Sequence, residues 1–200
     1  MKSSVGAAAA VAAGGPVFLV GFMGAGKTSV GRALGRRLNW IFEDLDDRIE
    51  RREGRTVADM FRESGEAAFR EAESAALQQV LEEAGSGVVR IVALGGGAFV
   101  QPANAAMLKA AGVPIAFLDA PVEELWQRCR KQAGAAGVER PLLRSQEDFR
   151  KLYAVRRKRY LRATRRIDTG GRSIDAIAAE IARTLGLKAI VTRSEQGESE

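Results

Sequence analysis

Residues Pro16–Thr28 read PVFLVGFMGAGKT, and this stretch decides the fold. Pro16–Val20 is a short apolar run of the kind that forms a buried strand. Gly21–Thr28 (GFMGAGKT) follows it directly and fits the spacing G-x-x-x-x-G-K-[ST]. From Lys27 the pattern changes, with Val30, Leu34 and Leu38 falling on one helical face. Strand, glycine loop and helix in that order make a phosphate cradle. Glycine lets the backbone curl so that the amides of Gly24, Ala25, Gly26, Lys27, Thr28 and Ser29 can turn toward phosphate oxygens. The helix start adds the positive end of its dipole. Lys27 would bridge the β- and γ-phosphates of a nucleoside triphosphate, and the Thr28 hydroxyl would bind Mg²⁺.

Working outward, short apolar runs alternate with helical patterns. Trp40–Phe42, Val88–Leu94, Val113–Leu118 and Arg166–Asp168 read as further strands. Lys27–Leu38, Asp46–Glu53, Gly65–Glu83, Pro102–Ala111, Pro121–Lys131, Ser145–Ala163 and Ser173–Leu185 read as helices. Gly31 and Gly35 would allow close backbone packing of the first helix. Thr56 with Asp59 resembles an N-cap box, with Val57, Met60 and Phe61 facing inward. Gln132–Val138 (QAGAAGV) reads as a flexible loop. The alternation predicts an α/β fold: a three-layer α/β/α sandwich on a five-stranded parallel sheet, with ligands at the strands' carboxyl ends.

The chain has 200 residues, 46% hydrophobic and 28% charged, which fits one domain with a core. Residues 1–15 and 188–200 read as a disordered and a flexible tail around a domain spanning 16–187. The start, MKSSVGAAAAVAAGG, is too short and too weakly apolar to be expected to act as an export signal, and no run of about 20 apolar residues spans a membrane. A single cysteine, Cys129, excludes an intrachain disulfide and suits a reducing compartment. With no histidine present, acid–base work falls to carboxylates or lysine, and zinc has almost no ligands. The net charge of +6 is spread along the chain, which suits a solvated basic surface or a pocket for anions.

Mg²⁺ beside a phosphate loop needs an acidic residue at a neighbouring strand end. Asp119, ending IAFLD, has the look of a Walker-B aspartate. Asp44, ending WIFED, is followed by Asp46, and two positions apart in an extended segment the pair would share a face. A solvated helix start accounts for this cluster equally well. Gly95-Gly96-Gly97 closes the strand IVAL and would let a backbone amide approach a ligand. Arg70, with Glu73 one turn on, and Arg140 and Arg156 are candidate grips for a carboxylate or phosphate, since arginine holds either with two parallel hydrogen bonds.

GFMGAGKT, DLD, the FR of GEAAFREAE, GGG and RPLL, in this order between about Pro16 and Leu185, resemble the shikimate kinases of the nucleoside-monophosphate-kinase-like P-loop family. The resemblance implies a sheet order 2-3-1-4-5, a substrate-binding segment at about 45–75 and a lid at about 131–144. It implies transfer of the γ-phosphoryl of ATP to the 3-hydroxyl of shikimate, with one Mg²⁺, by a cytoplasmic monomer with no nucleic-acid or membrane partner. Asp46, Arg70, Gly95–Gly97 and Arg156 would form the shikimate site, with Arg70 and Arg156 on the carboxylate and Glu73 orienting Arg70. Arg157 is the alternative to Arg156. Asp46 would hold the acceptor hydroxyl and Asp44 would reach Mg²⁺ through water. Arg140 would swing in on the lid, and Arg128 and Arg172 would stack on adenine. A gluconate or other small sugar-acid kinase, or a non-catalytic nucleotide-binding paralogue, could share the phosphate loop. The stretch between Arg128 and Arg140 is longer than the family pattern, and Lys158-Arg159-Tyr160 stands where the family often shows Pro-Leu-Tyr.

Overall fold

A computed structural model describes residues 15–86, 88–136 and 145–190. Five strands, β1 (Val17–Gly21), β2 (Ile41–Asp44), β3 (Arg90–Ala93), β4 (Ile115–Asp119) and β5 (Arg165–Asp168), form one parallel sheet in the order β2-β3-β1-β4-β5. Around it run α1 (Lys27–Leu38), α2 (Leu45–Glu53), α3 (Val57–Glu82), α4 (Pro102–Ala110), α5 (Val122–Ala136), α6 (Gln146–Tyr160) and α7 (Ile174–Leu185).

Burial explains which strands announce themselves. All five residues of β1 and of β4 are buried, so each is a continuous apolar run. The sheet edges, β2 (IFED) and β5 (RRID), face solvent and carry charge. From β1 the chain crosses to β2 on one side, whereas from β3 it crosses over β1 to β4. Right-handed crossovers therefore put α1 and α4 on opposite faces. The register pairs Gly21 with Leu118, Asp44 with Ala93 and Asp119 with Asp168. The carboxyl ends of all five strands thus share one edge, with the reversal of winding beside β1, where such sheets bind ligands.

The glycines of α1 act as expected: a Cβ on Gly31 would overlap the Phe42 ring, and one on Gly35 would lie 2.9 Å from the Trp40 carbonyl. Thr56 caps α3, its hydroxyl accepting from the Asp59 amide. That helix begins at Val57 instead of Gly65, and Gly65 breaks it at φ 79°, ψ 176°, a conformation open essentially to glycine alone. Gln132–Ala136, expected in a flexible loop, are the last turns of α5. Three alanines favour that extension, and Gly134 opposes it by only about 1 kcal/mol. Residues 137–144, the rest of the expected lid, lie outside the described residues. Lys188–Ile190, expected in the tail, are tied to the end of α1: the Ile190 amide donates to the Leu38 carbonyl (2.9 Å) and the Trp40 indole to the Lys188 carbonyl (3.1 Å).

Candidate active site

β1 ends at Gly21 and the loop turns through Gly24 (φ 78°) and Gly26 (φ 88°) into α1. At Gly24 space matters as well as φ, because a Cβ there would lie 2.8 Å from the Leu125 carbonyl and 2.9 Å from the Cys129 sulfur. Met23, Gly24, Gly26, Lys27, Thr28 and Ser29 line one wall of a cavity of 420 Å³. The Lys27 ammonium donates to the carbonyls of Gly21 (3.0 Å) and Phe22 (3.3 Å). Burial depresses its pKa, an effect partly offset by Asp44 and Asp46. A half-buried cation held only by carbonyls in such a loop is suited to an arriving anion.

The opposite wall comes from β2, α3 and the loop after β3. Asp44 caps α2, its Oδ1 accepting from the Asp46 amide at 3.2 Å, while its Oδ2 accepts from the Thr28 hydroxyl at 3.1 Å. Asp46, in the first turn of α2, faces the cavity. Its Oδ1 is buried without a hydrogen-bond partner. Burial, then the charges of Asp44 and Glu73, push its carboxyl up to about 6. The pair therefore divides: Asp44 is engaged with the phosphate loop and Asp46 is open to a ligand.

Arg70 and Glu73 lie one turn apart on α3. Arg70 Nη1 donates to Glu73 Oε2 at 3.0 Å, and Glu73 is only 1% exposed. Burial raises the Glu73 pKa against the pull of Arg70. Each residue of the glycine triplet is confined by a different neighbour. A Cβ on Gly95 would lie 2.8 Å from Asp46 Oδ1, one on Gly96 would lie 3.3 Å from Arg156 Nη1, and one on Gly97 would lie 2.5 Å from Arg70 Nη1. Three glycines, where one would make the turn, are needed because three side chains press on this loop.

Arg156, on α6, lies over the Phe22 ring (5.8 Å to its centroid) and lines the cavity. Arg157 points elsewhere, donating to Asp119 Oδ2 from Nε (3.1 Å) and Nη2 (2.7 Å). The geometry thus separates the two arginines: Arg156 faces the site and Arg157 does not. Asp119 also accepts from Arg166 and from the Tyr153 hydroxyl. It is 2% exposed and its carboxylate is already matched by side chains of the protein, unlike that of Asp44, which faces the phosphate loop. Arg128 donates to the carbonyls of Thr169 (2.8 Å) and Gly24 (3.4 Å), and Arg172 to that of Asp168 (2.8 Å). The two flank the same segment behind the phosphate loop. Arg140 lies outside the described residues.

Further contributors went unassigned in the sequence. Tyr160, buried, donates its hydroxyl to the Gly96 carbonyl at 2.5 Å and pins the glycine loop. Gln101 Nε2 donates to Glu73 Oε2 at 2.5 Å. Phe61, expected inward, is 39% exposed and packs on Phe69 (4.8 Å between centroids), the two forming part of the cavity wall. Tyr160 and Phe61 carried the ordinary signature of core aromatics. Gln101 did carry a sign, an unsuited residue at a helix N-cap.

A family model described as shikimate kinase matches residues 23–186. The chain belongs to the shikimate kinase family. It is 38% identical to the shikimate kinase of Persephonella marina over 166 residues, 82% of this chain and 95% of the relative. It is 40% identical to that of Geobacter metallireducens over 168 residues, 82% and 88% of the two chains. Among solved structures it is similar to the shikimate kinase from Acinetobacter baumannii in complex with shikimate, with 32% identity, a TM-score of 0.74 and coverage of 86% and 92%. The gluconate-kinase and paralogue alternatives give way to this family, whose members are ATP-dependent kinases. No helix among the described residues is long and apolar enough to cross a membrane.

Among the described residues no three carboxylate, cysteine or histidine groups could hold a metal alone. Thr28 and Asp44 offer oxygen donors 3.1 Å apart at the mouth of the phosphate loop. That arrangement fits a hard cation that keeps waters and takes phosphates as its remaining ligands.

Proposed function

We propose that this chain transfers the γ-phosphoryl group of ATP to the 3-hydroxyl of shikimate, giving shikimate 3-phosphate and ADP. The observation that carries the reading is the shared cavity. A phosphate loop with an under-compensated lysine faces, across 420 Å³, a carboxylate with an unpartnered oxygen and two arginines.

Lys27 exchanges its backbone carbonyls for the β- and γ-phosphates, which the amides of Gly24–Ser29 cradle. Thr28 and, through water, Asp44 would hold Mg²⁺, which would supply positive charge to the phosphate oxygens. Arg128 and Arg172 meet the adenine beyond the loop. Arg70 and Arg156 grip the acceptor's carboxylate beside Gly95–Gly97, with Glu73 orienting Arg70. Asp46 orients the acceptor hydroxyl and takes its proton late. Its raised pKa suits that role: it holds a proton more readily than an ordinary aspartate. Phosphoryl transfer needs positioning and charge neutralisation more than covalent help. Arg140, on a lid at about 131–144, completes the neutralisation and excludes water. The reading makes it a cytoplasmic monomer with small molecules as its partners.

A coupled ADP-release assay tests this. Turnover on shikimate with none on gluconate, and slow hydrolysis of ATP alone, is the expected result. Equal turnover on both acids, or hydrolysis as fast without an acceptor, would overturn it.

A further inference from the structure

Gln101 stands between Val100 and Pro102, at the N-cap of α4. Caps are normally Ser, Thr, Asp or Asn, whose short side chains reach back to the first amides. Gln101 makes no such bond. Its backbone is extended, at φ −68° and ψ 129°, as a following proline demands. Its side chain is turned instead toward α3, where Nε2 donates to Glu73 Oε2 at 2.5 Å. An ionised carboxylate only accepts, which sets the orientation of the amide.

The same oxygen accepts from Arg70 Nη1 at 3.0 Å. Arg70 has a second carboxylate, Glu66, bonded to its Nε and Nη2 (3.1 and 2.9 Å), but Glu66 is 66% exposed against 1% for Glu73. An exposed i,i+4 pair holds little, so Glu73 is the firm support of Arg70. Gln101 in turn fixes Glu73 from a loop 28 residues distant in sequence. That loop also carries Gly97, where an added Cβ would lie 2.5 Å from Arg70 Nη1. One segment therefore presses Arg70 from one side and anchors its counter-ion from the other.

We propose that Gln101 is a positioning residue for the acidic substrate: by holding Glu73 it keeps Arg70 in the pose that receives the carboxylate. The proposal rests on reading Arg70 as the carboxylate grip. The test measures KM for shikimate and for ATP separately in Gln101→Met, which keeps length and loses the donor, and in Gln101→Glu, which turns the donor into an acceptor. Gln101→Met is expected to raise the shikimate KM about tenfold, with the ATP KM within about twofold, and Gln101→Glu to raise it further. In a Glu73→Gln background, Gln101→Met should add little, since the two act through one contact. An unchanged shikimate KM in Gln101→Met, an equal rise in both KM values, or full additivity with Glu73→Gln overturns the proposal. Partial unfolding would not confuse the result, because losing folded enzyme lowers apparent kcat and leaves KM alone. Arg70→Lys serves as the control. If it leaves the shikimate KM unmoved, the grip reading falls and this proposal with it. If it is impaired while Gln101→Met is normal, the proposal alone falls.

Discussion

Asp119 and Asp46 lie at the ligand-binding edge of the same sheet, one ending a central strand and the other just beyond an edge strand, and their electrostatic surroundings are opposite. Asp119 receives the Tyr153 hydroxyl (2.8 Å), Arg157 (2.7 Å) and Arg166 (2.8 Å). Asp46 has an oxygen with no partner and, besides Lys27, has Asp44 and Glu73 as neighbours. Both are acidic residues near strand ends, Asp119 reading as a metal-site candidate and Asp46 as the holder of the acceptor hydroxyl. The difference is completion. Charges already matched by the protein brace the scaffold, whereas charges left unmatched in a cavity await those of a ligand.

Asp46→Asn probes that difference most strongly. If Asp46 positions the acceptor and takes its proton, kcat should fall about 10²- to 10³-fold, in line with losing about 2.7–4 kcal/mol of barrier stabilisation. The same change should stabilise the unliganded fold. The folded pKa of Asp46, about 6, lies above its unfolded value of 3.8. Below pH 3.8 the carboxyl is neutral in both states and costs nothing. As pH rises through about 6, the folded state is forced to carry a poorly compensated charge and loses stability. At pH 7 the variant should therefore be more stable by up to about 3 kcal/mol, with the gain vanishing near pH 4. Urea titrations of both proteins at the two pH values decide this, and a variant less stable at pH 7 would contradict the account.

Asp119→Ala should show the reverse. It removes the acceptor from two guanidiniums and a phenol and should lower stability by about 2–3 kcal/mol. Because Arg157 and Arg166 are partly exposed, water recovers some of the loss. Assayed where the variant is folded, kcat and the shikimate KM should stay within about threefold of wild type. A collapse of kcat with normal folding would restore Asp119 as a metal-site residue.

The contrast between the two aspartates also marks how far the sequence could be read. β1 and β4 are buried throughout and so spell themselves out as VFLVG and IAFLD, and GFMGAGKT carries its own mechanism. The strands and the phosphate loop were legible for that reason, whereas the sheet order came from the family resemblance. β2 and β5 sit at the edges, where half of each strand faces water, and their bounds drift by a residue or two. The start of α3 was obscured because Gly65 reads as a boundary and is a kink. What composition cannot express is pairing. Nothing in IAFLD announces that Asp119 is matched by arginines 38 and 47 residues away, or in DLD that Asp46 is unmatched. Arg156 and Arg157 likewise differ only in whether Asp119 reaches them.

The loop opposite Asp46 offers a smaller test. In Gly97→Ala a methyl would lie within 2.5–2.9 Å of the Arg70 guanidinium, the far end of a flexible side chain that can yield. The fold should survive, with stability within about 0.5 kcal/mol, while a displaced Arg70 raises the shikimate KM about tenfold. An unchanged KM would mean that the close approach at Gly97 serves packing alone.

A third carboxylate group, on the outer side of β2, refines the rule that matched charges brace and unmatched charges bind. Arg48 donates to Glu43 (2.8 and 2.9 Å) and to Glu83 (2.9 and 3.0 Å), and Arg90 joins Glu83 at 2.5 Å. These pairs are matched like those of Asp119, but Glu83 is 42% exposed, so water and salt weaken them. The hydrogen bonds from Arg48 hold the Glu83 carboxyl down at about 2, below its unfolded value of 4.5. Its contribution is thus fully present above pH 4.5 and fades as pH falls toward 2, the opposite sense to Asp46. Glu83→Gln should cost under about 1 kcal/mol at pH 7, and the gap from wild type should close as pH drops below 4. A gap that is independent of pH would assign the contribution to packing of the side chain. A gap that closes would place exposure beside pairing, because a matched charge braces the fold only as strongly as its surroundings exclude water.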